Sequence, residues 1–195
     1  MIKGADISHW DGDVDLGTAK AAGLGWISIK ISQGNTIIDA KAAQYVQQAR
    51  AVGLPIMPYH YLSPGIDAAS QWDKFHARIE VCGGWDGMLV PALDVEGDEH
   101  NELRGQLAED YALCAREWLD LLHAEIGMDG VVYTYPSFNN ECGIGYILGK
   151  YPLWAASYNP TAPVSFVGFG YARFWQYTAE GTFPGLGSGL DLDWF

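Results

Sequence analysis

Two acids at the end of one apolar run, Asp94 and Glu96 in Met88-Leu-Val-Pro-Ala-Leu-Asp-Val-Glu96, are the residues most able to do chemistry. In an extended chain, residues i and i+2 project from the same side, so their carboxyl groups are expected roughly 5–7 Å apart. Two like charges that close disfavour joint ionisation, and one of the two acids should keep its proton to higher pH. A carboxylic acid beside a carboxylate is what glycosidic-bond cleavage requires. One group protonates the leaving oxygen, and the other stabilises positive charge at the anomeric carbon. Two further acids, Asp6 near the first apolar run and Asp191 near the last, also stand at strand ends and are candidate catalytic residues.

These acids can meet only if the strands carrying them converge. Strands are predicted at 4–7, 26–32, 55–61, 88–96, 131–134, 153–156, 173–178 and 190–195 from short β-branched and aromatic runs bounded by glycine and proline. Helical patterns fill 16–22, 39–52, 67–81 and 106–126, with Asp67 a capping residue and Gly127 a terminator. Strands and helices alternate up to the fifth strand, and the last three strands are read without helices between them. Alternation implies a parallel sheet with right-handed crossovers. Eight strands invite closure, yet a full (β/α)8 barrel takes about 250 residues and this chain has 195. The expected fold is therefore α/β, an irregular, abbreviated (β/α) barrel with eight strands and about five helices, in a single catalytic domain over 1–195. An open doubly wound sheet is the alternative, but no Gly-x-Gly-x-x-Gly turn follows the first strand. In a barrel, catalytic side chains gather at the C-terminal ends of the strands, and the four acids fit that rule.

Composition narrows the partners. Twenty-four acidic against eleven basic side chains give a formal charge of −13, which argues against a nucleic-acid ligand and against an anionic membrane surface. No apolar run approaches the ~20 residues that span a bilayer, and no signal peptide is read before the first strand. Synthesis in the cytoplasm is the expectation. The chain is rich in rings, with eight tryptophans and eleven tyrosines, and rings near strand ends suit the flat faces of sugars. Tyr59 is favoured as a site residue, sharing a face with Tyr61. Tyr133, Trp154, Tyr158 and Gln176 are candidate substrate contacts, with barrel filling as the competing reading. His60 reads as a satisfied core histidine. Cys82, Cys114 and Cys142, an odd number with no close pair, are expected reduced and mostly buried. No metal or other cofactor is expected, and no protein partner is implied. The acids at 98, 99 and 102 look like a solvated loop.

Seven segments, in order, resemble the family-25 glycoside hydrolases, the CH-type lysozymes. Gly4-Ala-Asp-Ile-Ser-His-Trp10 is similar to that family's opening G-x-D-x-S-x-W, Pro58-Tyr-His-Tyr61 to its Y-H-F strand, and Leu93-Asp-Val-Glu96 to its L-D-x-E signature. Tyr133-Thr134, Leu153-Trp-Ala-Ala-Ser-Tyr158 and Phe174-Trp-Gln-Tyr-Thr178 resemble its later strands, and Gly189-Leu-Asp-Leu-Asp193 its closing G-x-D-x-N/D. The resemblance implies an N-acetylmuramidase acting on the glycan strands of bacterial peptidoglycan, at the β-1,4 bond between N-acetylmuramic acid and N-acetylglucosamine. It implies Glu96 as general acid/base, Asp94 orienting the substrate's N-acetyl group in a retaining, substrate-assisted reaction, and Asp6 and Asp191 as supporting aspartates. A phage endolysin or virion-borne enzyme fits the absence of a signal peptide, and no wall-binding module is expected after the barrel. Two departures stand out. The second strand ends Lys30-Ile-Ser-Gln-Gly34 where the family often reads K-A-T-E-G, and Tyr61 replaces the commoner Phe. The competing functions are a non-catalytic glycan-binding or virion structural barrel, against which the intact acids argue, and a chitinase-like hydrolase, whose longer D-x-x-D-x-D-x-E run is absent.

Overall fold

A computed structural model describes residues 1–97, 102–159 and 161–195. Eight strands close into a barrel: β1 (Lys3–Ile7), β2 (Trp26–Gln33), β4 (Ile56–Tyr61), β5 (Ala92–Asp94), β6 (Val131–Thr134), β7 (Leu153–Ala156), β8 (Ala172–Phe183) and β9 (Gly187–Trp194). Closure comes from β1, which pairs with β2 on one side and β9 on the other. A two-residue strand, β3 (Ile37–Ile38), folds back on the end of β2 outside the barrel. The helices are α1 (Leu16–Ala21), α2 (Ala42–Ala51), α3 (Ala68–Val81), α4 (Ala108–Ile126), α5 (Pro136–Cys142) and α6 (Ile144–Leu148).

Strand alternation divides the apolar residues into two cores. Outward-facing Ile27, Ile29 and Ile31 of β2 join the large outer core under the helices, with Tyr45 and Val46 of α2, Phe75 of α3 and Trp118 of α4. Inward-facing Trp26, Met57, Ala92, Val131, Trp154 and Phe174 plug the barrel's closed end. Gly4 makes that plug possible, because a Cβ there would stand 2.1 Å from the Trp26 indole. At the far end of α4, Gly127 takes the left-handed conformation (φ 70°) and its N–H bonds to the His123 carbonyl, ending the helix where the sequence indicated. Asp67 caps α3 by accepting from the Ser70 N–H at 2.8 Å.

Three expectations change. Two short helices, α5 and α6, follow β6 where none was read. At seven and five residues, split by Gly143 in the left-handed region, they are too short to develop a helical hydrophobic period. Among the described residues, the later strands β7, β8 and β9 are joined without helices. The sheet is also not wholly parallel, since β9 runs antiparallel to both β8 and β1. Finally, the predicted strand at 88–96 contracts to Ala92–Asp94, touching β4 earlier only at an isolated Ile56–Met88 bridge. The Ile56 carbonyl accepts from Leu89 N–H at 2.6 Å. Pro58, two residues on, faces the same irregular stretch, where its missing N–H breaks no ladder.

The three cysteines are free and half-buried, more exposed than expected. Asp98 and Glu99 of the presumed solvated loop lie outside the described residues, and Glu102 is exposed.

Candidate active site

Above the apolar plug the barrel interior turns polar. Asp6, Lys30, Tyr59, Tyr61, Asp94, Glu96, Tyr133, Trp154, Gln176 and Asp191 line a cleft of about 160 Å³ together with Ser8 and Trp10. All four candidate acids therefore converge, as do four of the five candidate substrate contacts. The fifth, Tyr158, lines an adjoining pocket that shares Glu96 and Tyr133 with the cleft.

The route by which each acid arrives differs. Asp94 is the last residue of β5, whereas Glu96 sits two residues beyond it, in the turn before Gly97. That turn is held from two sides. The Tyr61 hydroxyl donates to the Gly97 carbonyl, and the Gly97 N–H reaches the Tyr111 hydroxyl at 3.3 Å. Tyr111 in turn donates to the Leu62 carbonyl at 2.8 Å, tying the turn to the end of β4. Asp6 and Asp191 are opposite each other in the β1–β9 ladder. Because β9 is antiparallel, Asp191 reaches the mouth from the middle of the strand, and the residues after it descend into the barrel. The strand-end rule thus named the right residue for a direction that does not hold in this strand.

Asp193 is a buried acid of the barrel interior that the sequence reading did not single out. It faces inward two residues after Asp191, fully buried, and accepts from the Trp154 indole N–H at 2.8 Å. The charge of Asp193 helps to hold the Asp6 carboxyl above its ordinary range, and Asp193 Oδ2 is buried with no hydrogen-bond partner among the described residues. Gln176 completes the network. Its amide NH2 donates to Asp6 Oδ2 at 3.0 Å, while its oxygen accepts from Tyr133 at 3.2 Å and from Tyr158 at 3.0 Å. Gln176 is therefore a buried hub that fixes two tyrosines against Asp6. Trp154 and Tyr59 are mainly filling at the base of the cleft, with ring centroids 6.3 Å apart. Tyr158 is exposed at its edge.

Burial governs the acidity of every carboxyl here. It pushes Glu96 up to about 7, with Lys30 pulling down and Asp191 adding to the rise. Burial also lifts Asp94 well above the usual carboxylate range, the Glu96 charge adding to it and Lys30 opposing. Asp191 rises to about 6 through burial and the charge of Asp11. Asp193 rises to about 8 and Asp6 well above its ordinary value, again chiefly through burial. The sequence had assigned the rise at Glu96 to neighbouring negative charges; desolvation by the closed barrel is the larger cause. Asp94 lines the cleft, and its Oδ1 is buried with no hydrogen-bond partner among the described residues.

Other residues settle into place around this centre. His60 points outward from the barrel, stacked on Trp118 at 5.5 Å and within 2.9 Å of the Ser32 hydroxyl. Burial holds it down to about 3, a neutral core histidine as read. Lys30 and Trp10 were not singled out as site residues. Period-two alternation from Trp26 places Lys30 on the inner face, so the signal for it was present. Trp10 is 84% exposed and stacks on His9 at the rim. Ser8 and Asp11 cap its turn reciprocally, and His9 Nδ1 stands 2.8 Å from Asp39 Oδ2.

The arrangement can protonate a leaving group at Glu96, with a second acid beside it and aromatic surface at the base and rim. Proteins similar to this chain in sequence and fold are named as lysozymes. Lysozyme M1 of Streptomyces globisporus is 29% identical, over the whole of this chain and 67% of its own length. The autolytic lysozyme of Clostridium acetobutylicum is 31% identical, over the whole of this chain and 56% of its own length. A bacterial lysozyme structure from Streptomyces coelicolor superimposes with a TM-score of 0.90 at 26% identity, covering all of this chain and 91% of that one. The sequence profile of the glycosyl hydrolases family 25 matches residues 5–186, and with the barrel and its acids in place the chain belongs to that family.

Proposed function

We propose that this barrel, acting as one catalytic domain, cleaves the β-1,4 bond between N-acetylmuramic acid and N-acetylglucosamine in bacterial peptidoglycan. The observation that carries this reading is the convergence of Asp94 and Glu96 in one desolvated cleft, where Glu96 is pushed up to about 7 and so holds a proton to give.

In the proposed reaction, the muramic acid unit lies over the Asp94–Glu96 pair. Its acetamido N–H donates to the Asp94 carboxylate, and a hydrogen bond to a carboxylate favours its charged form. The negative charge settles on Asp94, leaving the proton on Glu96. The acetamido carbonyl oxygen attacks the anomeric carbon as the glycosidic bond breaks, and Glu96 transfers its proton to the departing oxygen. Water then adds to the anomeric carbon, giving its proton to Glu96 and releasing the acetamido oxygen. Asp191 supplies negative potential near the positive charge that develops, and Asp6 anchors Gln176, which holds Tyr133 and Tyr158 against the sugar. The two displacements each invert the anomeric centre, so configuration is retained.

Purified peptidoglycan and chitin, digested side by side, test this reading. Reducing ends should appear from peptidoglycan and not from chitin, and NMR of the earliest product should show the β anomer. An α product would mean direct attack by water, with Asp94 as its base. Cleavage of chitin alone would favour a chitinase-like specificity, and no cleavage of either would favour a glycan-binding barrel.

A further inference from the structure

Among the described residues, every charged group lining the cleft is acidic except one. Lys30, on β2, is the single lysine or arginine among the described residues that line it. Its ammonium donates to Gln33 Oε1 at 2.9 Å and lies 4.7 Å from the centre of the Tyr61 ring. Both partners are electrically neutral. An amide and a ring face orient an ammonium without cancelling its charge, whereas a carboxylate at either place would pair with it.

We propose that Lys30 is the positioning cation that lets Asp94 and Glu96 carry negative charge in the barrel mouth, and that Gln33 leaves its full charge facing them by holding it through a neutral amide. The inference rests on Asp94 and Glu96 being the reacting pair. The same positive charge opposes the burial of both acids, as their acidities record. The other groups facing the pair work against it or are silent. Asp191 from β9 adds negative charge, while Asp193 from β9 and Asp6 from β1 keep their protons to higher pH. Burial pushes the phenols of Tyr59 on β4 and Tyr133 on β6 far above their ordinary values, and Tyr158 and Tyr135 up to about 12, so these remain neutral. Tyr61 contributes its ring face. Among the described residues, no other charge at the site favours ionisation of Asp94.

The test is a carboxyl-carbon NMR titration of Asp94 and Glu96 in the free protein, set beside the pH–rate profile on a soluble glycan fragment. Lys30→Met should move both midpoints up by about one unit or more, the size expected from losing one nearby opposite charge. Both limbs of the profile should follow to higher pH. Gln33→Glu, which adds a charge that pairs with Lys30, should move them the same way by less, and Lys30→Arg should restore wild-type midpoints. Unchanged midpoints in Lys30→Met and Gln33→Glu would overturn the proposal even if turnover falls. Should Lys30→Met fail to fold, the pair Gln33→Glu and Lys30→Arg decides alone. Because the titration is read without substrate, a missing shift counts against Lys30 itself. Turnover that survives Glu96→Gln counts instead against the pair it serves.

Discussion

Replacing Glu96 by Gln is expected to cut glycan hydrolysis by at least ~100-fold, the usual scale of general acid catalysis, while the protein folds as before. Glutamine matches the volume of glutamate but has no proton to transfer to the leaving oxygen. The turn carrying residue 96 is held through Gly97, by Tyr61 and Tyr111, so its geometry does not depend on the carboxyl group. The variant should also melt at the same temperature as wild type or higher at pH 8. A group pushed up to about 7 by burial is one whose charge the fold accommodates poorly, and the amide removes that charge. Turnover and melting measured on one preparation separate the two effects. Near-normal turnover would remove Glu96 from the chemistry.

Thermal stability should fall as pH rises from 5 to 8, by at least about 5–10 °C. Asp6, Asp94, Glu96, Asp191 and Asp193 all hold their protons more tightly when folded than in an unfolded chain. Below pH 4, where unfolded carboxyls are still protonated, their contribution to stability is fully present. Above it the unfolded chain gives up protons that the native barrel keeps, until Asp191 titrates near 6, Glu96 near 7 and Asp193 near 8. Each proton so retained costs about 1.4 kcal/mol per pH unit. The proton held by Glu96 alone from pH 5 to about 7 costs about 3 kcal/mol, which gives the lower bound stated at about 2–4 °C per kcal/mol for a chain of this size, and the other acids deepen the fall. The surface aspartates Asp13, Asp15 and Asp67 are shifted downward and act only at lower pH, in the opposite sense. Melting curves across this range check the point, and Asp193→Asn should flatten the slope. A melting temperature that rises toward pH 8 would mean that the cleft acids are far better solvated than their burial indicates.

Much of this site could be read from the chain because strand geometry is local. The same-side relation of Asp94 and Glu96 needs only the period of two, and Asp6 and Asp191 needed only strand ends. What escaped depended on direction and depth. Asp193 lies below Asp191 because β9 runs antiparallel, and no periodicity reports the sense of a strand. Glu96 falls beyond its strand because β5 is only three residues long, although alternation still placed it on the correct side. Lys30 was visible on the inner face but was passed over in a search for acids. The helices α5 and α6 are shorter than the window in which a helical period emerges.

The sugar at the new reducing end tests the central claim most directly. Purified peptidoglycan digested with the protein, reduced with borohydride and analysed by mass spectrometry should yield fragments ending in N-acetylmuramitol. Fragments ending in N-acetylglucosaminitol would place the cut at the other glycosidic bond and contradict the assignment of this cleft as a muramidase site.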